Sequence, residues 1–515
     1  MQVEYFLEAS ASRLPEKVAL VCGGRRFTYS EIDRACNRLA RRLLEAGVSR
    51  GDRVAIYLEN SVETVVGIFA TLKAGAVFMV INPTTKADKV AFILNNSRAA
   101  ALITDSRRRP IVDEIGDRTP HTKIVVLAGG RGEHVSHEGK QFLAFDDAID
   151  GADDSKPENR SIDIDLAALI YTSGSTGTPK GVMLTHLNIV SAATSITTYL
   201  ENVEDDIILN VLPLSFDYGL YQLLMAFKMG ATLVLERSFA FPHAVLETVV
   251  AERVTGFPIV PTMSALLLQL DLGKYDLSRV RYITNTAAAL PTKHILELRA
   301  RLPHARLFSM YGLTECKRVS YLPPDQIDVR PTSVGRGMPN EEVYIVDDQG
   351  NRLKTGVGEL VIRGSNVMKG YWEMPEETAR VLKTGALPWE KVLYSGDLFR
   401  MDEEGYLYFL GRKDDIIKTR GEKVSPREVE NVLYELAGVS EAAVVGVADV
   451  ILGQAIKAVV TLKPGAELTE QDVLRHCSQR LENFMVPKLV EFRSAMPKTS
   501  SGKIDKKTLH VAVAS

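Results

Sequence analysis

Apolar residues recur along the first half of the chain with two alternating periods. Between Thr28 and Gly47 the apolar positions Ile32, Leu39 and Leu43 fall at helical spacing, and Thr28 with Glu31 forms a capping box at their head. This predicts a helix that Gly47 ends. The continuous apolar run Val54–Leu58 reads as a buried strand. The same grammar predicts strands Ile207–Val211, Ala231–Leu235, Gly256–Val260 and Arg281–Thr284, with helices Leu220–Lys228 and His243–Arg253 among them. Strands interleaved with helices imply parallel sheets covered on both faces, and such sheets hold ligands at the carboxyl ends of their strands. After Tyr406–Leu410 the pattern changes to helix Ser425–Leu436, strands Glu441–Val447 and Lys457–Leu462, and helix Thr469–Leu481. That is a compact α+β unit of about a hundred residues, a usual small-domain size. The expected fold is therefore α/β: a large N-terminal domain, 1–411, of parallel-rich sheets covered by helices, and a small α+β C-terminal domain, 412–515. The polar stretch Asp150–Ser161 reads as a surface excursion within the first domain.

A length of 515 residues, 45% of them hydrophobic, supports this division, because it exceeds what one core usually sustains. The 62 basic and 65 acidic side chains nearly cancel, so no global field favours nucleic acid or anionic lipid, and any phosphate binding must be local. Cys22, Cys36, Cys316 and Cys477 lack metal-ligand spacing and read as free thiols of a reducing, cytoplasmic compartment. Glu4 and Glu8 stand where a signal peptide needs apolar residues, and Lys73 cuts the apolar run Val65–Leu72. Neither secretion nor a membrane span is expected.

One local site for phosphate stands out. Leu169–Tyr171 reads as the end of a buried strand, and Tyr171–Gly181 then packs in three glycines, five hydroxyls (Thr172, Ser173, Ser175, Thr176 and Thr178) and Lys180. Glycines such as Gly174 and Gly177 let backbone N–H groups converge, hydroxyls donate further bonds, and the lysine adds charge. It is not the kinase-type loop, since Lys180 follows Pro179 and precedes Gly181.

The run Tyr171–Gly181 resembles the signature loop of the adenylate-forming superfamily, which includes acyl-CoA synthetases, peptide-synthetase adenylation domains and luciferases. Four further segments follow in that family's order, so the resemblance spans nearly the whole chain. Tyr311-Gly-Leu-Thr-Glu315 is similar to the second nucleotide motif, which implies Tyr311 against adenine, Thr314 at the α-phosphate and Glu315 holding Mg²⁺. Tyr394-Ser-Gly-Asp397 resembles the motif whose aspartate accepts both ribose hydroxyls. Gly411-Arg-Lys-Asp414 resembles the hinge, with Arg412 near the ribose and Asp414 as pivot. Lys498–Lys503 resembles the C-terminal signature that ends in the adenylation lysine, Lys503. The resemblance implies an AMP-forming acid–thiol ligase that uses ATP and Mg²⁺. The small domain would turn about Asp414 after adenylation, withdrawing Lys503 and presenting the face with Lys418 and Gly421 to a thiol. With no carrier-domain serine motif after Lys503, that thiol is expected in trans, on coenzyme A or on a separate carrier protein.

Aligned on that family, the acid pocket falls on Asp217, Tyr218, Tyr221, Ile283, Asn285, Met310, Arg318 and Val319. Asp217 would pair with a substrate ammonium, which favours an amino acid and a carrier protein, or it would cap the helix that follows. An acyl-CoA synthetase for a fatty or aryl acid without an amino group is the alternative. Arg318 has three readings: it binds a second acidic group, neutralises Asp217, or points to solvent with Lys317, the commonest fate of such a pair. A luciferase-type oxidation has no positive sign in the chain, and a non-catalytic nucleotide sensor would not need Lys503, Glu315 and Lys180.

Overall fold

The computed structural model describes the whole chain except residues 130–135, 138, 151–152, 159–160, 174–178, 287, 420–421, 450–451, 500–502 and 510–515. The capping box forms as expected: the Thr28 hydroxyl accepts from Glu31 N–H, and the Glu31 carboxylate accepts from Thr28 N–H at 2.8 Å. The helix it starts, Tyr29–Glu45, buries Ile32, Leu39 and Leu43.

Two nine-stranded sheets dominate. In the first, Val18–Cys22, Thr232–Leu235, Ile207–Asn210, Gly256–Ile259, Tyr282–Asn285 and Arg306–Tyr311 lie side by side and parallel, with short antiparallel strands at both edges. In the second, Leu166–Ser173, Val77–Val80, Arg53–Tyr57, Ala99–Asp105, Ile124–Ala128 and Lys140–Ala144 are parallel, and Pro179–Thr185 runs antiparallel beside Leu166–Ser173. Helices Val62–Lys73 and Asp217–Met229 are buried along almost their whole length, and Phe69 of one stacks on Phe227 of the other at 5.3 Å. One core joins them to Leu20 and Ile208 of the first sheet and to Val54 and Ile56 of the second. Lys73, which interrupts the apolar run, is fully buried and satisfied by Asp33 Oδ1 at 2.8 Å and Asn37 Oδ1 at 2.7 Å.

The segment 341–412 forms a third, six-stranded antiparallel sheet whose long strands are Glu341–Val346, Gly356–Gly364 and Lys391–Met401, with Leu407–Arg412 paired to the last. The helix–strand grammar did not foresee it, because these strands are half-buried and pair across long loops rather than through helices. The final sheet pairs Val439–Asp449 with Gly453–Leu462 and adds Ile417–Thr419, Glu422–Val424 and Leu489–Phe492. Helices Pro426–Glu435 and Glu470–Ser478 share one small core with it through Val429, Leu433, Val444 and Val473. The polar stretch at 153–158 lies on the helix Tyr29–Glu45, where Asp154 O accepts from Asn37 Nδ2 and Ser155 O accepts from Arg41 Nε, each at 2.9 Å. It is the expected surface excursion. Among the described residues, no helix is long and apolar enough to cross a membrane.

Candidate active site

Several motif residues stand at the carboxyl ends of parallel strands, as the strand pattern predicts. Strand Leu166–Ser173 returns through the glycine-rich loop into Pro179–Thr185, so that Thr172 faces Lys180 in register and Ser173 faces Pro179. Gly174, Ser175, Thr176, Gly177 and Thr178 lie outside the described residues. Lys180 Nζ sits 5.2 Å from the ring of Tyr371, and the Tyr371 hydroxyl donates to Glu315 Oε1 at 2.8 Å. The loop lysine and Glu315 thus meet on one tyrosine, which the motifs had not singled out.

Tyr311 ends strand Arg306–Tyr311, and its hydroxyl donates to Asp397 Oδ2 at 2.5 Å. Its ring packs edge-on against Phe399 at 4.8 Å and lies near-parallel to Phe409 at 6.0 Å. Arg412 Nε is 3.7 Å from Asp397 Oδ1. Burial raises the Asp397 pKa to about 6, with Arg412 and the Tyr311 hydrogen bond pulling it down and the Glu315 and Asp415 charges pushing it up. At Gly312 a Cβ would lie 1.9 Å from Lys317 O, so only glycine permits the tight return that carries Thr314 and Glu315.

Lys503 enters the same cleft from the C-terminal unit, with Nζ 5.9 Å from the ring of Phe216. Part of its surface stays open, yet protein atoms crowd its ammonium. That loss of water lowers its pKa, against the charges of Asp217, Asp397 and Glu315 that raise it. Residues distant in sequence therefore act on one another here. Lys418, by contrast, is exposed on Ile417–Thr419 and donates its backbone N–H to Gln454 Oε1 at 2.7 Å. Asp414 is exposed in the turn between Leu407–Arg412 and Ile417–Thr419, and Gly421 lies outside the described residues.

The expected acid pocket is built on the buried helix Asp217–Met229. Phe216 occupies its N-cap without a side-chain cap bond, so Asp217 is not the cap: it is the first helical residue and is buried. The Tyr218 hydroxyl hydrogen-bonds Thr284 O at 2.8 Å and Thr284 Oγ1 at 2.7 Å, while the buried Tyr221 hydroxyl has no partner among the described residues. Ile283 and Asn285 lie on strand Tyr282–Asn285, and Met310 Sδ accepts from Tyr199 at 2.9 Å; all three are buried, as is Val319. Asn285 Oδ1 is also without a partner.

Lys317 and Arg318 depart from expectation. Neither points to solvent: they are 1% and 2% exposed. Lys317 adopts φ +73°, which turns the chain inward and lets its ammonium donate to Thr314 O at 2.8 Å. Burial lowers its pKa to about 8, opposed by the nearby charges of Asp217 and Glu315. Arg318 lays its guanidinium 4.6 Å over the Tyr218 ring, and among the described residues its Nε has no hydrogen-bond partner. Only the fold around the left-handed residue turns this pair inward, and no local pattern in Cys316-Lys-Arg318 announces it.

A cleft that carries Lys503, Lys180 and Arg412 beside Asp397 and Glu315 suits a polyanion with hydroxyl groups at one end. Residues 7–372 match the family described as AMP-binding enzyme, and 428–503 match the AMP-binding enzyme C-terminal domain. The chain is 32% identical to a long-chain-fatty-acid–CoA ligase of Bacillus subtilis, over 98% of this chain and 94% of that protein. It is 29% identical to tyrocidine synthase 1 of Brevibacillus parabrevis, over 98% of this chain and 44% of that one. The crystal structure of the anthranilate CoA ligase AuaEII in complex with anthranoyl-AMP superimposes with a TM-score of 0.89 at 27% identity, covering 99% of this chain and 96% of that one.

Proposed function

We propose that this chain, which belongs to the AMP-binding enzyme family and is an AMP-forming acid–thiol ligase, activates a carboxylic acid without an amino group and passes it to coenzyme A. The observation that carries the reading is the approach of Lys503, from the C-terminal unit, to within 5.9 Å of the Phe216 ring beside Asp217, where the charges of Asp217, Asp397 and Glu315 act on it.

The acid's carboxylate oxygen attacks the α-phosphorus of ATP, an O–P bond forms, and the bond to pyrophosphate breaks. Two anions must approach, so fixed cations and positioning carry the step, with no protein nucleophile needed. Lys503 bridges the carboxylate and the α-phosphate. Lys180 and the loop from Thr172 cover the departing pyrophosphate. Tyr311 and its aromatic neighbours hold adenine, Asp397 and Arg412 hold the ribose, and Thr314 meets the α-phosphate. Glu315 fits Mg²⁺: Tyr371 holds one of its oxygens, and no cluster of three ligating side chains exists among the described residues. A single carboxylate joined by substrate phosphates is a usual Mg²⁺ environment, in which the ion neutralises phosphate charge. In the second half-reaction the unit 412–515 turns about Asp414, brings Lys418 toward the cleft, and the thiol sulfur displaces AMP from the acyl carbon.

Two considerations favour an acid without an amino group and coenzyme A over an amino acid and a carrier protein. Asp217 already has two protein cations acting with it, Lys317 and Lys503, so a substrate ammonium would add a third positive charge. The likeness to the Bacillus fatty acid ligase and to AuaEII, both CoA ligases by name, supports the acceptor.

The experiment is ATP–pyrophosphate exchange over fatty, aryl and amino acids, followed by thioester formation with CoA or with a phosphopantetheinylated carrier protein. Exchange with non-amino acids and acyl-CoA as product are expected, and Lys503→Ala lowers exchange by about 10²–10³ while leaving the melting temperature in place. Strict preference for amino acids, or for the carrier protein, overturns the corresponding half of the reading.

A further inference from the structure

We infer that the acid bound here carries a second anionic group, as a dicarboxylic acid does, and that Arg318 pairs with that distal charge; the inference rests on the acid-activating role proposed above. Arg318 is 2% exposed and lies over the ring face of Tyr218, and among the described residues its Nε has no hydrogen-bond partner. Among the described residues no ion pair joins it to a carboxylate. A guanidinium cannot discard its proton, and an unpaired buried charge is costly, so the site is incomplete without an anion.

The protein's own buried carboxylates do not serve. Asp217 acts on Lys317 and Lys503. Glu341 accepts from Asn366 Nδ2 at 2.8 Å, burial raises its pKa, and among the described residues no ion pair joins it to Arg318. Among the described residues the Tyr221 hydroxyl is a second buried donor without a partner, and it feels the charges of both Asp217 and Arg318. A planar fork beside a hydroxyl suits a carboxylate, which accepts two parallel N–H bonds.

The charge to be met is the distal one. Lys503 holds the reacting carboxylate, and the largest charges acting on it are those of Asp217, Arg412, Asp397 and Glu315. At the start of the helix Asp217–Met229, Asp217 acts on Lys503 while Tyr218 lies under the Arg318 guanidinium at 4.6 Å.

The test compares kcat/KM for pyrophosphate exchange across chain-matched monocarboxylic, ω-hydroxy and dicarboxylic acids, in the wild type, Arg318→Lys and Arg318→Met. The wild type should prefer a diacid to the monoacid of equal length by about 10² or more, since a site built for a charged partner rejects an analogue lacking it. Arg318→Met should collapse that ratio by about 10²–10³, with Arg318→Lys between. A wild-type ratio near one, a preference for the ω-hydroxy acid, or an unaltered ratio in a folded Arg318→Met protein overturns the inference. The wild-type ratio needs no variant to fold. Should no acid support exchange, the proposed function fails by itself; diacid-dependent thermal stabilisation of the wild type, lost in Arg318→Lys and Arg318→Met, then still decides whether Arg318 binds the anion.

Discussion

Asp397 takes one hydrogen bond from Tyr311 and keeps its other oxygen without one, in a setting that raises its pKa to about 6. Ribose hydroxyls are donors, and only the ionised carboxylate can accept from both. The sign follows. Unfolded, the group titrates near 3.9, so its contribution to folding stability is fully present below about pH 4 and is lost as pH rises through about 6. Nucleoside affinity runs the opposite way and grows across the same window. Adenosine, which brings no phosphate of its own to titrate, should bind about tenfold more weakly for each pH unit below 6. Calorimetric titration from pH 5 to 7 should show this in the wild type and a flat, weak profile in Asp397→Asn; a flat wild-type profile contradicts the ribose assignment. At this scale the sequence was legible in which motifs meet: Tyr311 and Asp397 share a hydrogen bond, and Lys503 approaches Phe216 beside Asp217. It was illegible at Lys317 and Arg318, because whether a charge faces water is settled by the surrounding fold and not by the Cys-Lys-Arg string.

The helix that carries Asp217, Tyr218 and Tyr221 depends on Gly219. A Cβ there would lie 2.4 Å from Pro213 O and 2.8 Å from Leu212 O, both backbone atoms that cannot swing aside. Gly219→Ala should therefore cost about 1–3 kcal/mol, read as a lower denaturant midpoint at unchanged slope. Because the helix start must shift, KM for the acid should rise more than KM for ATP; equal changes in both would dissociate this helix from the acid pocket. Elements such as this one were legible because a buried parallel strand is a short continuous apolar run and its crossover helix has a 3.6-residue period. The antiparallel sheet over 341–412 was not. Its strand Glu341–Val346 buries only its last two residues well, and its pairing is decided by partners far along the chain.

Among the described residues the C-terminal unit meets the large one through bonds that include Arg427 Nη2 donating to Ala289 O at 2.8 Å and Leu290 O at 3.0 Å, and Lys413 Nζ donating to Glu359 Oε2 at 3.2 Å. Polar contacts of this kind favour relative movement of two units that each own a core. Their junction is the turn around Asp414, where Lys413 N–H donates to Gly396 O at 2.8 Å and Asp415 and Ile416 N–H donate to Arg412 O at 2.9 and 3.1 Å. A proline at 414 removes none of these bonds, but it fixes one φ and restricts the residue before it. The arrangement with Lys503 in the cleft should thus survive in Asp414→Pro, whereas a rotation that passes through residue 414 should not. Pyrophosphate exchange is expected to stay near the wild-type rate while acyl-CoA formation falls by about 10² or more, the scale of loss when a reacting group is held out of place. Both are measured on one preparation. Equal loss of the two half-reactions would mean that the turn serves the fold rather than the change of state, since a pivot must distinguish the step before the movement from the step after it.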